Sequence, residues 1–207
     1  MSFRIDPVAA VVAVRTYNAG SYRGRTNIEV DRIAYERFRH GVPSSRDALV
    51  EMVRFVGEDF GGAQRRFLPH GYVEEAILIV GNLQPAVNAW RAAVEAASPL
   101  TDAVSDENTL TLLFAPFIGT KRWPVWASKT LHFLRPDAFP ILDSRAKKAL
   151  GVANLGNSPR DYNRFSALCA DALHSNGDAL SAARAVDNGT SPSDIKLLDK
   201  MLYQLGA

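Results

Sequence analysis

At Asp6-Pro7, at Ser158-Pro159 and at Ser191-Pro192, the last continued by Ser193-Asp194, a capping side chain stands directly before a proline and a run of apolar residues follows. Proline suits the first helical position because its missing N–H is one of the donors that a helix start leaves unpaired, and the Asp or Ser oxygen takes up another. Apolar residues at helical spacing follow each signal: a Val/Ala run to about Tyr17, then Tyr162, Phe165 and Leu168, then Ile195, Leu198 and Leu202. The same spacing marks Leu49, Met52, Val53, Val56 and Phe60, Val87, Trp90, Val94 and Ala97, and Leu110, Leu113, Phe114 and Phe117. The run from Val8 to Val14 also admits a buried strand, because its β-branched content suits one. No convincing alternating strand, internal repeat or low-complexity tail is present. The expectation is an all-α fold over residues 1–207, as a single helical domain or two closely packed lobes.

At 207 residues and 47% hydrophobic content the chain can bury a substantial core. Its one cysteine, Cys169, excludes an internal disulfide and a four-thiolate cluster, and it shares a helical face with Phe165, Leu168, Ala172 and Leu173, which reads as core. Cysteine and histidine nowhere take zinc-finger spacing. The N-terminus lacks the basic head and apolar run of a secretion signal, and no stretch approaches membrane-spanning length. A cytoplasmic monomer with no membrane partner is expected.

Charge is unevenly distributed. The whole chain carries +2, yet residues 121–148 place Lys121, Arg122, Lys129, Arg135, Arg145, Lys147 and Lys148 against Asp137 and Asp143, a net +5, so the remainder sums to −3. A second basic stretch, Arg15, Arg23, Arg25, Arg32, Arg37 and Arg39 against Glu29, Asp31 and Glu36, is a candidate for another part of the same groove. Such clusters attract and position a phosphate backbone, or else form solvated helix faces.

The +5 segment holds the residues with most chemical promise. Lys129 lies in Trp126-Ala127-Ser128-Lys129-Thr130-Leu131-His132-Phe133-Leu134, an apolar helical run, and Asp143 opens Ser144-Arg145-Ala146-Lys147-Lys148. An amine flanked by Trp126, Leu131 and Phe133 loses hydration, which lowers its pKa and frees it as a nucleophile. A nearby aspartate can move the proton or oppose a developing positive charge. Each residue also has a structural reading: Asp143 as a helix N-cap, Lys129 as an ammonium carried past an apolar stem into water. Trp123, Trp126 and His132 are candidates to stack on a nucleobase or wedge into a duplex, and equally for core packing.

Phe139-Pro140-Ile141-Leu142-Asp143, with the small and basic helix after it, resembles the segment carrying the catalytic aspartate in the helix-hairpin-helix DNA glycosylase superfamily, closest to the adenine glycosylase branch. Ser128-Lys129 before an apolar helix resembles the nucleophilic lysine position of the 8-oxoguanine glycosylase branch. The likeness covers roughly 30 residues. It departs from the family pattern where Leu-Pro-Gly-Val-Gly is usual and Phe117-Ile118-Gly119-Thr120-Lys121-Arg122-Trp123-Pro124-Val125-Trp126 stands instead, and in a Lys129-to-Asp143 spacing of 14 that trims the catalytic helix by about one turn. The chain thus looks like a divergent 8-oxoguanine glycosylase-like member with a degenerate hairpin. The resemblance implies a two-lobed helical fold, double-stranded DNA with a flipped-out base as partner, and no cofactor. Lys129 and Asp143 would be catalytic. Arg145 falls where the family holds a phosphate, with Lys121, Arg122, Lys147 and Lys148 as further phosphate contacts. Base removal with associated abasic-site cleavage follows if Lys129 attacks, and water activated by Asp143 serves if it does not. The rival readings are a non-catalytic nucleic-acid-binding protein on the same scaffold and a helical protein-interaction domain.

Overall fold

The computed structural model describes residues 3–22, 24–42, 45–57, 84–117 and 123–207, and it is all-α. Helix α1, Pro7–Ala19, begins as its proline signal requires: Asp6 accepts from the amides of Val8 and Ala9, both at 3.0 Å. The Val8–Val14 run is therefore helix, with Ala10, Ala13 and Val14 buried. Cap and proline set the local geometry that β-branching alone left open.

A two-residue hairpin, β1 Ser21–Tyr22 against β2 Arg25–Thr26, turns the chain at Gly24, whose φ of 78° suits glycine. Thr26 and Glu29 then form a reciprocal capping box that starts α2, Asn27–Phe38. The further helices are α3 Arg46–Phe55, α4 Gln84–Ala96, α5 Glu107–Phe114 with a 3₁₀ turn over Ala115–Phe117, α6 Trp123–Leu134, α7 Ser144–Ala149, α8 Pro159–Ser175, α9 Gly177–Asp187 and α10 Asp194–Leu205. Ser158 caps α8 with Pro159 at its first position as expected, whereas α10 starts beyond Pro192, with Ser193 as its cap and Asp194 as its first residue. Phe60 and the stretch Ile118 to Arg122, where the degenerate hairpin was expected, lie outside the described residues.

The two ends of the chain pack together. Helix α1 lies against α9 and α10, while α10 also lies along α7. Asn176, between α8 and α9, ties the N-terminal segment down: its Oδ1 accepts from Ile5 N at 2.6 Å and its Nδ2 donates to Phe3 O at 2.9 Å. At the far end of α10 a Cβ on Gly206 would fall 2.0 Å from the Arg145 carbonyl, so only glycine lets α10 close onto α7. The core between these layers includes Phe114, Phe117, Trp126, Leu131, Phe139, Tyr162 and Phe165, and Cys169 is part of it. Among the described residues no helix is long and apolar enough to cross a membrane.

Candidate active site

Helix α6 is immersed in the core. From Trp126 to Leu134 every residue except Lys129 is buried, so Lys129 is the one position of this run that opens outward. In the loop after it, Phe139–Leu142, Phe139 N bonds back to Arg135 O at 3.2 Å, and side chains take up further backbone groups. Ser128 Oγ accepts from Leu142 N at 3.0 Å, Tyr162 donates to Pro140 O at 2.8 Å, and His132 Nδ1 lies 2.8 Å from Phe139 O. Three side chains from two helices thereby deliver Asp143 to a defined place. Its Oδ1 accepts from Ala146 N at 2.7 Å and caps α7, so the structural reading of Asp143 holds alongside its position in the cleft.

Lys129 and Asp143 line one cleft of about 130 Å³, with α1 and α2 supplying Tyr17 and Asp31 and α10 supplying Lys196, Asp199 and Tyr203. A cavity of about 150 Å³ holds a benzene-sized guest, so this one has room for about one ring. Burial pushes the Lys129 amine below the ordinary lysine pKa, with Asp143 and then Asp199 pulling the other way. Asp143 moves above the ordinary carboxylate value, chiefly by burial and next by the neighbouring Asp199 charge. These opposite shifts raise the fraction of neutral amine and of protonated acid at the same place.

The second lysine behaves differently. Lys196 Nζ lies 3.1 Å from Asp31, 3.0 Å from Asp199 and 3.1 Å from the Tyr17 hydroxyl, so its three protons have three acceptors. Burial opposes this ammonium, but Asp31, Tyr17 and Asp199 outweigh it and hold its pKa well above the ordinary lysine value. These partners favour the charged, fully hydrogen-bonded form of Lys196, the opposite of the tendency at Lys129. Among the described lining residues, three carboxylates, Asp31, Asp143 and Asp199, stand against two lysines. Among the described residues, no three His, Cys, Asp or Glu side chains are gathered closely enough to hold a metal ion.

The remaining candidates separate. Trp126 is 1% exposed and packs edge-on against Phe117 at 5.5 Å, and His132 is fully buried with Nε2 2.6 Å from the Tyr35 hydroxyl. Both are core residues, not walls of a base pocket. Periodicity pointed to the helix but not to which of its sides faces the cleft. Arg145 lies over the Tyr203 ring at 4.3 Å, beside the cleft. Lys147 donates to Leu155 O at 2.8 Å and Lys148 to Ala207 O at 3.2 Å, so both ammoniums have protein acceptors. Lys121, Arg122 and the Trp123 side chain lie outside the described residues. The N-terminal basic stretch does border the cleft, through Tyr22, Asn27 and Asp31, and among the described residues none of its arginines is in the lining.

Sequence reasoning missed Asp31, Lys196 and Asp199. On α10, Lys196, Asp199, Lys200 and Tyr203 follow at helical spacing on the flank of Ile195, Leu198 and Leu202, a polar face that a sequence assigns to solvent. Comparison of the chain with protein-family models, curated proteins and solved structures finds no match.

Proposed function

We propose that this protein is a DNA glycosylase with associated abasic-site lyase activity, excising a damaged or modified base from double-stranded DNA through Lys129 and Asp143. The observation that carries this reading is convergence: an amine whose charged form burial disfavours, and a carboxylate 14 residues later, line one cleft. The target nucleotide turns out of the duplex so that its sugar reaches them. Neutral Lys129 attacks the sugar carbon bearing the base, Asp143 faces the positive charge that develops there, and the base departs. The adduct rearranges to an imine, which acidifies the neighbouring carbon and permits β-elimination of the 3′ phosphate. A carboxylate-rich floor suits such a cationic transition state, while the phosphates stay outside, near Arg145.

A duplex bearing one abasic site, treated with borohydride, tests the reading. The wild-type protein should be trapped covalently, and Lys129→Gln should lose the adduct while still binding the duplex, because only the amine can form the imine. An undiminished adduct in Lys129→Gln would assign the reaction to another amine. No wild-type adduct, and no base release from any lesion duplex, would sink the proposal.

A further inference from the structure

We propose that Asp199 is a second carboxylate of the reaction, carrying protons from Lys129 to the departing oxygen as the imine forms. This rests on the glycosylase reading above. Asp199 lines the same cleft as Lys129 and Asp143 but reaches it from α10, on the opposite end of the sequence from the first helix that shares the cleft. Its Oδ2 is anchored on Lys196 Nζ at 3.0 Å, which leaves its Oδ1, with no hydrogen bond among the described residues, to the cleft that the residue lines. A buried carboxylate with one oxygen fixed and the other unengaged is the arrangement a proton carrier needs. Asp143, held through its Oδ1 by the Ala146 amide at 2.7 Å, keeps the separate task of facing the charge on the sugar. Lys196, with every proton already accepted, holds Asp199 in place.

The step balances on the abasic aldehyde. The Nζ lone pair bonds to C1′, and a proton moves from nitrogen through Asp199 to the former carbonyl oxygen, giving the carbinolamine. The second nitrogen proton follows the same route as the C1′–O bond breaks and the oxygen leaves as water. Amine and aldehyde become imine and water, with no change of oxidation state.

The test is the single-turnover rate of cyanoborohydride trapping on a duplex with one abasic site, for wild type, Asp199→Ala and Asp199→Asn. Asp199→Ala leaves Lys196 still paired with Asp31 at 3.1 Å, so the buried ammonium is not orphaned. Trapping by this variant should fall about 100-fold or more, with duplex affinity measured by fluorescence anisotropy unchanged. Sodium formate, small enough to occupy the vacated space, should restore part of the rate. Asp199→Asn, of the same shape, should be equally slow and should not respond to formate. Wild-type rates in either variant would overturn the role of Asp199 while leaving the glycosylase reading intact, and so would a slow Asp199→Ala that formate cannot restore. A wild-type protein that forms no adduct would overturn both.

Discussion

Lys129 and Lys196 carry the same group into the same cleft, and their surroundings drive them apart. Burial dominates at Lys129, while at Lys196 three acceptors within 3.1 Å override it. Replacing Lys196 with methionine strands Asp31 and Asp199 as buried charges, and breaking such a pair costs about 3–5 kcal/mol. Urea denaturation of Lys196→Met should show a loss of that size, and an unchanged midpoint would mean the network contributes nothing. His132 supplies a pH-dependent counterpart. Burial is the main cause that lowers its pKa to about 3, so the folded protein keeps it neutral where the unfolded chain, with a value near 6.5, takes up a proton. Its contribution to stability is full above about pH 6.5 and is lost as pH falls toward 3, about 2–3 kcal/mol at about pH 4.5. His132→Gln, which does not titrate, should remove that part of the difference between denaturation curves at about pH 4.5 and pH 7.

At the scale of elements, α7 spans only Ser144–Ala149 and depends on its cap. Asparagine caps about as well as aspartate whereas alanine does not, so the two substitutions separate structure from chemistry. Asp143→Ala should lower stability by about 1 kcal/mol and slow base release, while Asp143→Asn should slow base release with thermal unfolding nearly unchanged. If Asp143→Asn keeps wild-type activity, the aspartate is a cap alone. Helices announced by a capping residue and proline, α1 and α8, were legible in sequence because those signals act within a few residues. Helices α2 and α9 were not identified. The buried face of α2 includes Asp31 beside Ala34 and Phe38, and that of α9 is Ala179, Leu180, Ala183 and Asp187, so neither displays a clear apolar stripe.

For the whole molecule, the duplex binding that the proposed function requires would depend on which cations of the +5 segment remain available to phosphate. Lys147 and Lys148 already donate to protein carbonyls, and Arg145 rests on Tyr203 beside the cleft. Each true phosphate contact removed should reduce the salt slope of duplex binding by about one unit, for all sequences alike. Among alanine substitutions at Arg145, Lys147 and Lys148, the Arg145 change should be largest, and an unchanged slope in the triple variant would leave a merely solvated face. Caps, periodicity and flanking hydrophobicity are local properties, and they suffice to show that this chain is helical, where α1 and α8 begin and that Cys169 is core, whereas the choice of Lys129 and Asp143 as a pair comes from the resemblance of their segments to a family. Only the tertiary structure decided that Lys129 opens outward from a buried helix while Trp126 and His132 turn inward. It also decided that Asp31 from α2 and Lys196 and Asp199 from α10 complete the cleft. The ion pair between Asp31 and Lys196 exists because α10 folds back beside the N-terminal helices, and a pairing across most of the chain leaves no periodic trace in either segment.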